Sequence, residues 1–247
     1  MTDDRFLTAL PVYNEAAHVD DVLDRVRQFS EHVLVVDDGS SDGTSDRLAA
    51  RDDIEIVTHP HNRGYGAALM TAFDYAIQHQ FPILVTIDCD GQHEPQRIQS
   101  FVQVCRETQA DIVSGSRYLK TFTSDTTAPE QRREINQAVT QLLNQRLKLN
   151  LTDAFCGFKA YRTDALKRLE LTETGYAMPL ELWVQAACHR LKIVEWPVPL
   201  IYLDESRSFG GQLDNPEVRM EYYRQILQRS FARLPDDCNE LAGGPVG

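Results

Sequence analysis

FPILVTIDCDGQHE, residues 81–94, carries an apolar run that stops abruptly at two acidic residues. Ile83, Leu84, Val85, Thr86 and Ile87, bounded by Pro82 and Gly91, read as a fully buried strand. Asp88 and Asp90 follow at once. Residues two apart on a strand point to the same side, so the two carboxylates can converge at the strand's carboxyl end. Open α/β sheets bind their ligands at that edge. Two carboxylates with nothing basic beside them repel unless a cation sits between them. Oxygen ligands of this kind suit a hard divalent ion, Mg²⁺ or Mn²⁺. An isolated Asp-X-Asp is a common solvated turn, so its weight depends on the loops around it.

Upstream, Phe6–Val12 reads as a first strand closed by the turn at 11–15. Val19, Val22, Leu23 and Val26 then recur at helical spacing. Val33, Leu34, Val35 and Val36 form a second buried strand, ending in the turn cluster 37–44, and residues 54–57 form a third. After the turn at 59–66, Leu69, Ala72, Phe73, Ala76 and Ile77 make one helical stripe. Downstream of the two aspartates come a helix near 95–105 and a fifth strand over 110–114, which runs into Gly115, Ser116, Arg117 and Tyr118. Strands alternating with helices imply an α/β fold with a mainly parallel sheet covered on both faces.

Beyond residue 119 the pattern changes. Residues 120–129 form a polar loop, and Ile135, Ala138, Val139, Leu142 and Leu143 mark a long helix. Two short strand-like runs within 191–203 are broken by Pro197 and Pro199, which suits edge strands. Met220, Tyr223, Leu227, Phe231 and Leu234 mark a terminal helix with Arg219, Arg224, Arg229 and Arg233 on its polar side. Its apolar stripe would pack on the sheet or lie on a membrane surface. Residues 236–247 read as a disordered tail. The expectation is one domain over 1–235, with a donor half near 1–118 and an acceptor half near 119–235.

The 247 residues are 42% hydrophobic and carry a net charge of −12. A balance this acidic disfavours nucleic acid as a partner, because such binding rests on neutralised phosphates. Cys89, Cys105, Cys156, Cys188 and Cys238 are dispersed without a CxxC pair, which argues against zinc or a disulfide framework and for a reducing compartment. No signal peptide or spanning segment is evident. The expected location is cytoplasmic, with peripheral contact at the inner face of a membrane, or with a membrane partner protein, left open.

Six segments stand in a telling order: PVYNE at 11–15, VVDDGSSDGT at 35–44, NRGYGAAL at 62–69, DCDGQH at 88–93, GSRY at 115–118 and DAFCGFKAYR at 153–162. Together they resemble the family 2 nucleotide-sugar glycosyltransferases of GT-A fold, most of all the polyprenol-phosphate sugar transferases of the dolichyl-phosphate mannose synthase type. The resemblance covers roughly residues 6–165. It implies a nucleotide-sugar donor, GDP- or UDP-linked, held against Pro11, Tyr13, Glu15, Val36 and Asp38, with Cys89 contributing backbone. It also implies a divalent metal on Asp88, Asp90 and Gln92. Asp38 has a competing role as a cap for the helix beginning at Thr44. His93 and Arg63 are candidates to approach the diphosphate, against purely structural roles for each.

The acceptor decides what else is needed. A polyprenyl phosphate has a second pKa of about 6 and is already anionic at pH 7, so it requires cations rather than a base. Arg117 is the first candidate, with Arg132, Arg133 and Asn136 next. A glycan or small-molecule hydroxyl needs a carboxylate base, for which Glu181 is the candidate. Two departures stand out. The family's later phosphate-clamping segment here reads DESRSFGG, with Arg207 and no lysine, and the membrane helices that end many relatives are lacking. A non-catalytic nucleotide-sugar sensor would predict a damaged Asp88, Asp90 and Gln92 set, whereas all three are present. A nucleotidylyltransferase would want a Gly-rich, Arg-containing loop where LPVYNE stands.

Overall fold

Side chains that alternate along each strand supply two separate cores. The computed structural model describes residues 3–127, 129–202, 211–235 and 238. Among these, seven strands form one sheet: β1 (Phe6–Val12), β2 (His32–Asp37), β3 (Glu55–Thr58), β4 (Ile83–Thr86), β5 (Ile112–Ser116), β6 (Lys159–Arg162) and β7 (Ile193–Pro197). The spatial order is β3-β2-β1-β4-β6-β5-β7. On one face, Leu7, Ala9, Leu34, Val36, Leu84 and Tyr161 meet helices α3 (Tyr65–Gln78), α5 (Glu130–Leu147), α6 (Thr163–Leu166), α7 (Met178–Cys188) and α8 (Pro216–Ala232). On the other, Leu10, Val12, Val33, Val35, Val85 and Ala160 meet α1 (Val19–Arg27), α2 (Thr44–Ala49) and α4 (Ile98–Thr108). Each such Leu or Val, fully buried, contributes about 1.5–3 kcal/mol of transfer free energy.

The sheet is parallel as the alternation implies, except for β6, which runs antiparallel to both β4 and β5. Sequence alternation would set β5 directly beside β4. Instead the DAFCGFKAYR segment returns to fill that gap, with Thr86 opposite Lys159 and Ser114 opposite the same residue. The inserted strand puts Gly157 under the carboxylate of Asp88, where an added Cβ would lie 2.1 Å from Oδ2. No larger residue fits there without moving Asp88.

Three expectations need correction. β4 ends at Thr86, so Asp88 and Asp90 reach the same cleft from the irregular segment after the strand, not by strand alternation. The buried stripe of α5 is Asn136, Val139, Thr140, Leu143 and Leu147, while Ala138 faces solvent. Two polar residues take inner positions because they hydrogen-bond the 153–154 turn: Asn136 Nδ2 donates to Asp153 Oδ1 (2.8 Å), and the amide of Ala154 donates to Thr140 Oγ1 (3.2 Å). The cysteines are not all free either. Cys188, in the last turn of α7, is disulfide-bonded to Cys238, while Cys89, Cys105 and Cys156 stay buried as thiols. Cys238 is the one residue of the expected tail that lies within the described residues.

The terminal helix packs. Tyr223, Ile226, Leu227 and Phe231 are buried, and Pro216 with the Asn215 side chain caps its start, Asn215 Oδ1 accepting from the amides of Glu217 (2.9 Å) and Val218 (3.2 Å). β7 is an edge strand, as its prolines suggest. No helix among the described residues is long and apolar enough to cross a membrane.

Candidate active site

Loops after β1, β2, β3, β4 and β5 gather at the carboxyl edge of the sheet and line one cleft of about 690 Å³. Pro11, Tyr13, Glu15, Asp38, Asn62 and Gly64 are among its lining. Asp38 is nearly buried, and its carboxylate is heavily engaged. Oδ1 accepts from the Arg63 amide (2.9 Å) and lies 2.6 Å from His59 Nδ1, while Oδ2 accepts from the Gly64 amide (2.8 Å). Its capping therefore serves the turn into α3. The start of α2 is served by Asp42, which accepts from the Thr44 amide (3.0 Å) and hydroxyl (2.6 Å). Gly64 sits at φ 103°, with Thr174 O 2.3 Å from where a Cβ would be, so this turn admits only glycine.

The metal candidates Asp88, Asp90 and Gln92 also line the cleft. Asp88 Oδ1 accepts from the Tyr65 hydroxyl (3.0 Å), and Oδ2 lies 3.3 Å from His93 Nε2. Burial pushes the Asp88 carboxyl up, but His93 and Tyr65 outweigh it and the net direction is down, which keeps Asp88 an anion. Burial and the neighbouring Asp88 raise the Tyr65 phenol well above its ordinary value, so it remains a donor. Asp90 Oδ1 accepts from the Gln92 amide (2.9 Å), which orders the bend. Two carboxylates and the Gln92 side-chain amide on one wall are an all-oxygen donor set, and that chemistry fits a hard divalent ion. Among the described residues no group of three or more His, Cys, Asp or Glu side chains forms a cage for a metal, so such an ion would have to complete its shell with water or ligand oxygens.

Basic residues line the same cleft. Arg117, Arg132, Arg133 and Arg219 reach the cleft beside Ile135, Phe155, Leu200, Tyr202 and Tyr223. Arg117 is held from behind by Asp153, with Nε 2.6 Å from Oδ2 and Nη2 2.8 Å from Oδ1. Burial pulls the Asp153 carboxyl up, yet the adjacent Arg117 outweighs this and lowers it to about 2. For Arg117 burial works against the charge, and Asp153 raises its pKa regardless. The Arg132 guanidinium lies 5.5 Å over the Tyr202 ring and donates to its hydroxyl.

Several expected residues fall elsewhere. Val36 is fully buried against α3 and does not reach the cleft, because its side chain points into a core. Cys89 lines the cleft from a buried position. Arg63 contributes its backbone amide to Asp38 while its side chain lies outside the cleft lining. His93 is buried behind Asp88 beside Phe158, so it braces that carboxylate and does not face the cleft. Glu181, the candidate base, is buried in α7. Its oxygens accept from the Thr172 amide (2.8 Å), the Thr172 hydroxyl (2.9 Å) and the Glu173 amide (2.7 Å), away from the cleft. Arg207 lies outside the described residues.

Asp153, Tyr65 and His59 were not singled out in the sequence, and Arg219, expected on the polar side of the terminal helix, is instead buried and lines the cleft. Asp153 had a signal in DAFCGFKAYR, but Tyr65 and His59 become site residues only through contacts 23 and 21 residues away.

A glycosyl transferase family 2 model matches residues 8–170, about two thirds of the chain, from β1 through β6. The chain belongs to glycosyl transferase family 2. Among its family 2 relatives, the undecaprenyl-phosphate mannosyltransferase of Micrococcus luteus is 32% identical over 84% of this chain and 88% of its own. The polyprenol monophosphomannose synthase of Mycolicibacterium smegmatis is 29% identical over 78% of this chain and 76% of its own. A UDP-N-acetylglucosamine–dolichyl-phosphate N-acetylglucosaminyltransferase of Methanococcus voltae is 26% identical over 96% of this chain and 100% of its own. Glucosyl-3-phosphoglycerate synthase from Mycobacterium tuberculosis has the same GT-A fold, with a TM-score of 0.69 at 20% identity over 94% of this chain and 81% of that one. Other structures of that synthase hold Mn²⁺ with UDP. Family membership makes this protein a glycosyltransferase.

Proposed function

We propose that this family 2 enzyme moves a hexose from a nucleoside diphosphate sugar to a polyprenyl phosphate, with inversion at the anomeric carbon. The observation that carries the reading is the segregation of charge across one cleft. Of the residues lining it, Asp38 follows β2 and Asp88 and Asp90 follow β4, on one side of β6 in the sheet, whereas Arg117 follows β5 on the other side of β6 and Arg132, Arg133 and Arg219 come from α5 and α8. Residues near 1–118 then act as the donor half and those near 119–235 as the acceptor half. The Micrococcus and Mycolicibacterium relatives support the acceptor class by their names.

The chain's residues have distinct tasks. Pro11, Tyr13, Glu15 and Asp38 receive the nucleoside. Asp88, Asp90 and Gln92 would hold Mg²⁺ or Mn²⁺, which when bound neutralises negative charge gathering on the diphosphate. The arginine wall binds the acceptor phosphate, and the apolar residues among those arginines receive the start of the isoprenoid. An oxygen of the acceptor phosphate forms its bond to the anomeric carbon as the bond to the diphosphate oxygen breaks, and the nucleoside diphosphate leaves with that electron pair. No base is needed, since the nucleophile is anionic at neutral pH. Asp153 sets the plane of the Arg117 guanidinium, so that its exposed edge meets phosphate in a fixed geometry. With Glu181 committed to the 172–173 turn, a hydroxyl acceptor has lost its candidate base. A lipid acceptor would bring the cleft to the inner face of a membrane, with the protein bound peripherally.

The test is nucleoside diphosphate release from UDP- and GDP-sugars with Mn²⁺, with and without a short polyprenyl phosphate, for wild type and Asp90→Ala. Turnover that requires the lipid phosphate, is abolished by chelator and falls at least about 100-fold in the variant is expected. Hydrolysis indifferent to the lipid would move the acceptor to a hydroxyl compound. Donor binding without turnover on any acceptor would make the chain a nucleotide-sugar sensor.

A further inference from the structure

The hydrogen bonds around Asp38 have a consequence for the nucleobase. An ionised carboxylate offers about four lone-pair positions, two on each oxygen. Three of those on Asp38 are taken inside the protein. The amides of Arg63 and Gly64 take one position on each oxygen. His59 Nδ1, 2.6 Å from Oδ1, takes another. A carboxylate only accepts, so Nδ1 carries the hydrogen, and Nε2 is matched 2.9 Å away by the Thr71 hydroxyl on α3. His59 is itself buried, so it is held on both sides. Oδ1 is therefore full, and Oδ2 keeps a single position for a ligand in the cleft that Asp38 lines.

Uracil and guanine make different demands on such a group. Uracil presents one N–H, at N3, between two carbonyls. Guanine presents two adjacent donors, N1–H and the 2-amino group, whose good match is a carboxylate with one open position on each oxygen. We infer that Asp38, saturated on Oδ1 by His59 and the Arg63 amide, selects a uridine diphosphate donor over a guanosine one, with His59 as the positioning residue that sets this selectivity. The inference rests on the donor-site reading above and goes beyond it in naming the base. A guanine base bound here leaves one N–H unmatched against a filled oxygen, which costs about tenfold or more in affinity.

Titration calorimetry of the full chain with UDP and with GDP, each with Mn²⁺, tests it in wild type, His59→Ala and His59→Asn. UDP should bind about tenfold or more tighter than GDP to wild type. His59→Ala opens a position on Oδ1 and should pull the UDP-to-GDP ratio toward one. His59→Asn, whose amide nitrogen stands near the place of Nδ1, should restore the ratio. A purely structural role for His59 would weaken both nucleotides alike and leave the ratio unchanged, which overturns the selectivity mechanism. Tighter GDP binding to wild type overturns the base assignment while leaving the donor site intact. Binding of neither nucleotide overturns both. The wild-type ratio decides the base even if His59→Ala does not fold.

Discussion

Arg117 and Asp153 show how one pair can serve both stability and the site. The Asp153 side chain is fully buried and that of Arg117 is 20% exposed, so removing the carboxylate strands a largely desolvated cation. Asp153→Asn should cost about 3 kcal/mol at pH 7, the low end for a broken buried pair because Arg117 keeps some water. The pH dependence has a definite sign. The folded Asp153 carboxyl is lowered to about 2, below the unfolded value of about 3.9, so the stabilisation is complete above about pH 4. It is lost as pH falls through about 2. Denaturant titrations at pH 5 and pH 2 should show wild type losing roughly 2 kcal/mol more than Asp153→Asn over that window. Equal losses would mean that Asp153 is not held ionised by Arg117.

At the scale of elements, α7 and the turn before it form one unit. Glu181 ties residues 172–173 to the first turn of α7. That turn lies against the start of α3, where Thr174 O approaches Gly64 and accepts from the Ala67 amide (3.1 Å). Tyr176, at the end of this connection, lines the cleft. Glu181→Gln keeps the shape and loses charge-assisted acceptance, so thermal melting should report a loss of about 1–3 kcal/mol. Turnover measured at several pH values should keep the same profile, because Glu181 touches no reacting atom. A lost limb in the pH–rate profile would restore it as a base. Much of this scale was legible beforehand: the β1 to β5 alternation, the α3 stripe and the apolar stripe of α8 follow from periodicity. The inner face of α5 did not, because Asn136 and Thr140 look like surface residues until Asp153 and Ala154 arrive beside them.

At the scale of the molecule, the chain end is covalently joined to the helix layer. The Cys188–Cys238 bond closes a 50-residue separation that contains β7 and α8, and α8 carries Arg219 and Tyr223 to the cleft. In the chain-entropy limit such a crosslink stabilises by about 4 kcal/mol. Melting with and without reductant should show a fall in Tm, matched by Cys188→Ser, and thiol titration of the unfolded oxidised chain should count three free cysteines. Five thiols in the untreated protein would show that the bond does not form.

The sequence by itself determined the parallel alternation, the carboxylates at the ends of strands and the family, because each depends on short-range periodicity or on residue types clustered within a few positions. Only the tertiary structure decided which of the named residues work together. It slid β6 between β4 and β5, turned Val36 and His93 away from the cleft, spent Glu181 on a turn and filled three of the four acceptor positions of Asp38. Those outcomes depend on partners from 5 residues away, as for His93 and Asp88, to 79, as for Ile83 opposite Arg162, and buried polar groups take whichever partner the fold brings within about 3 Å.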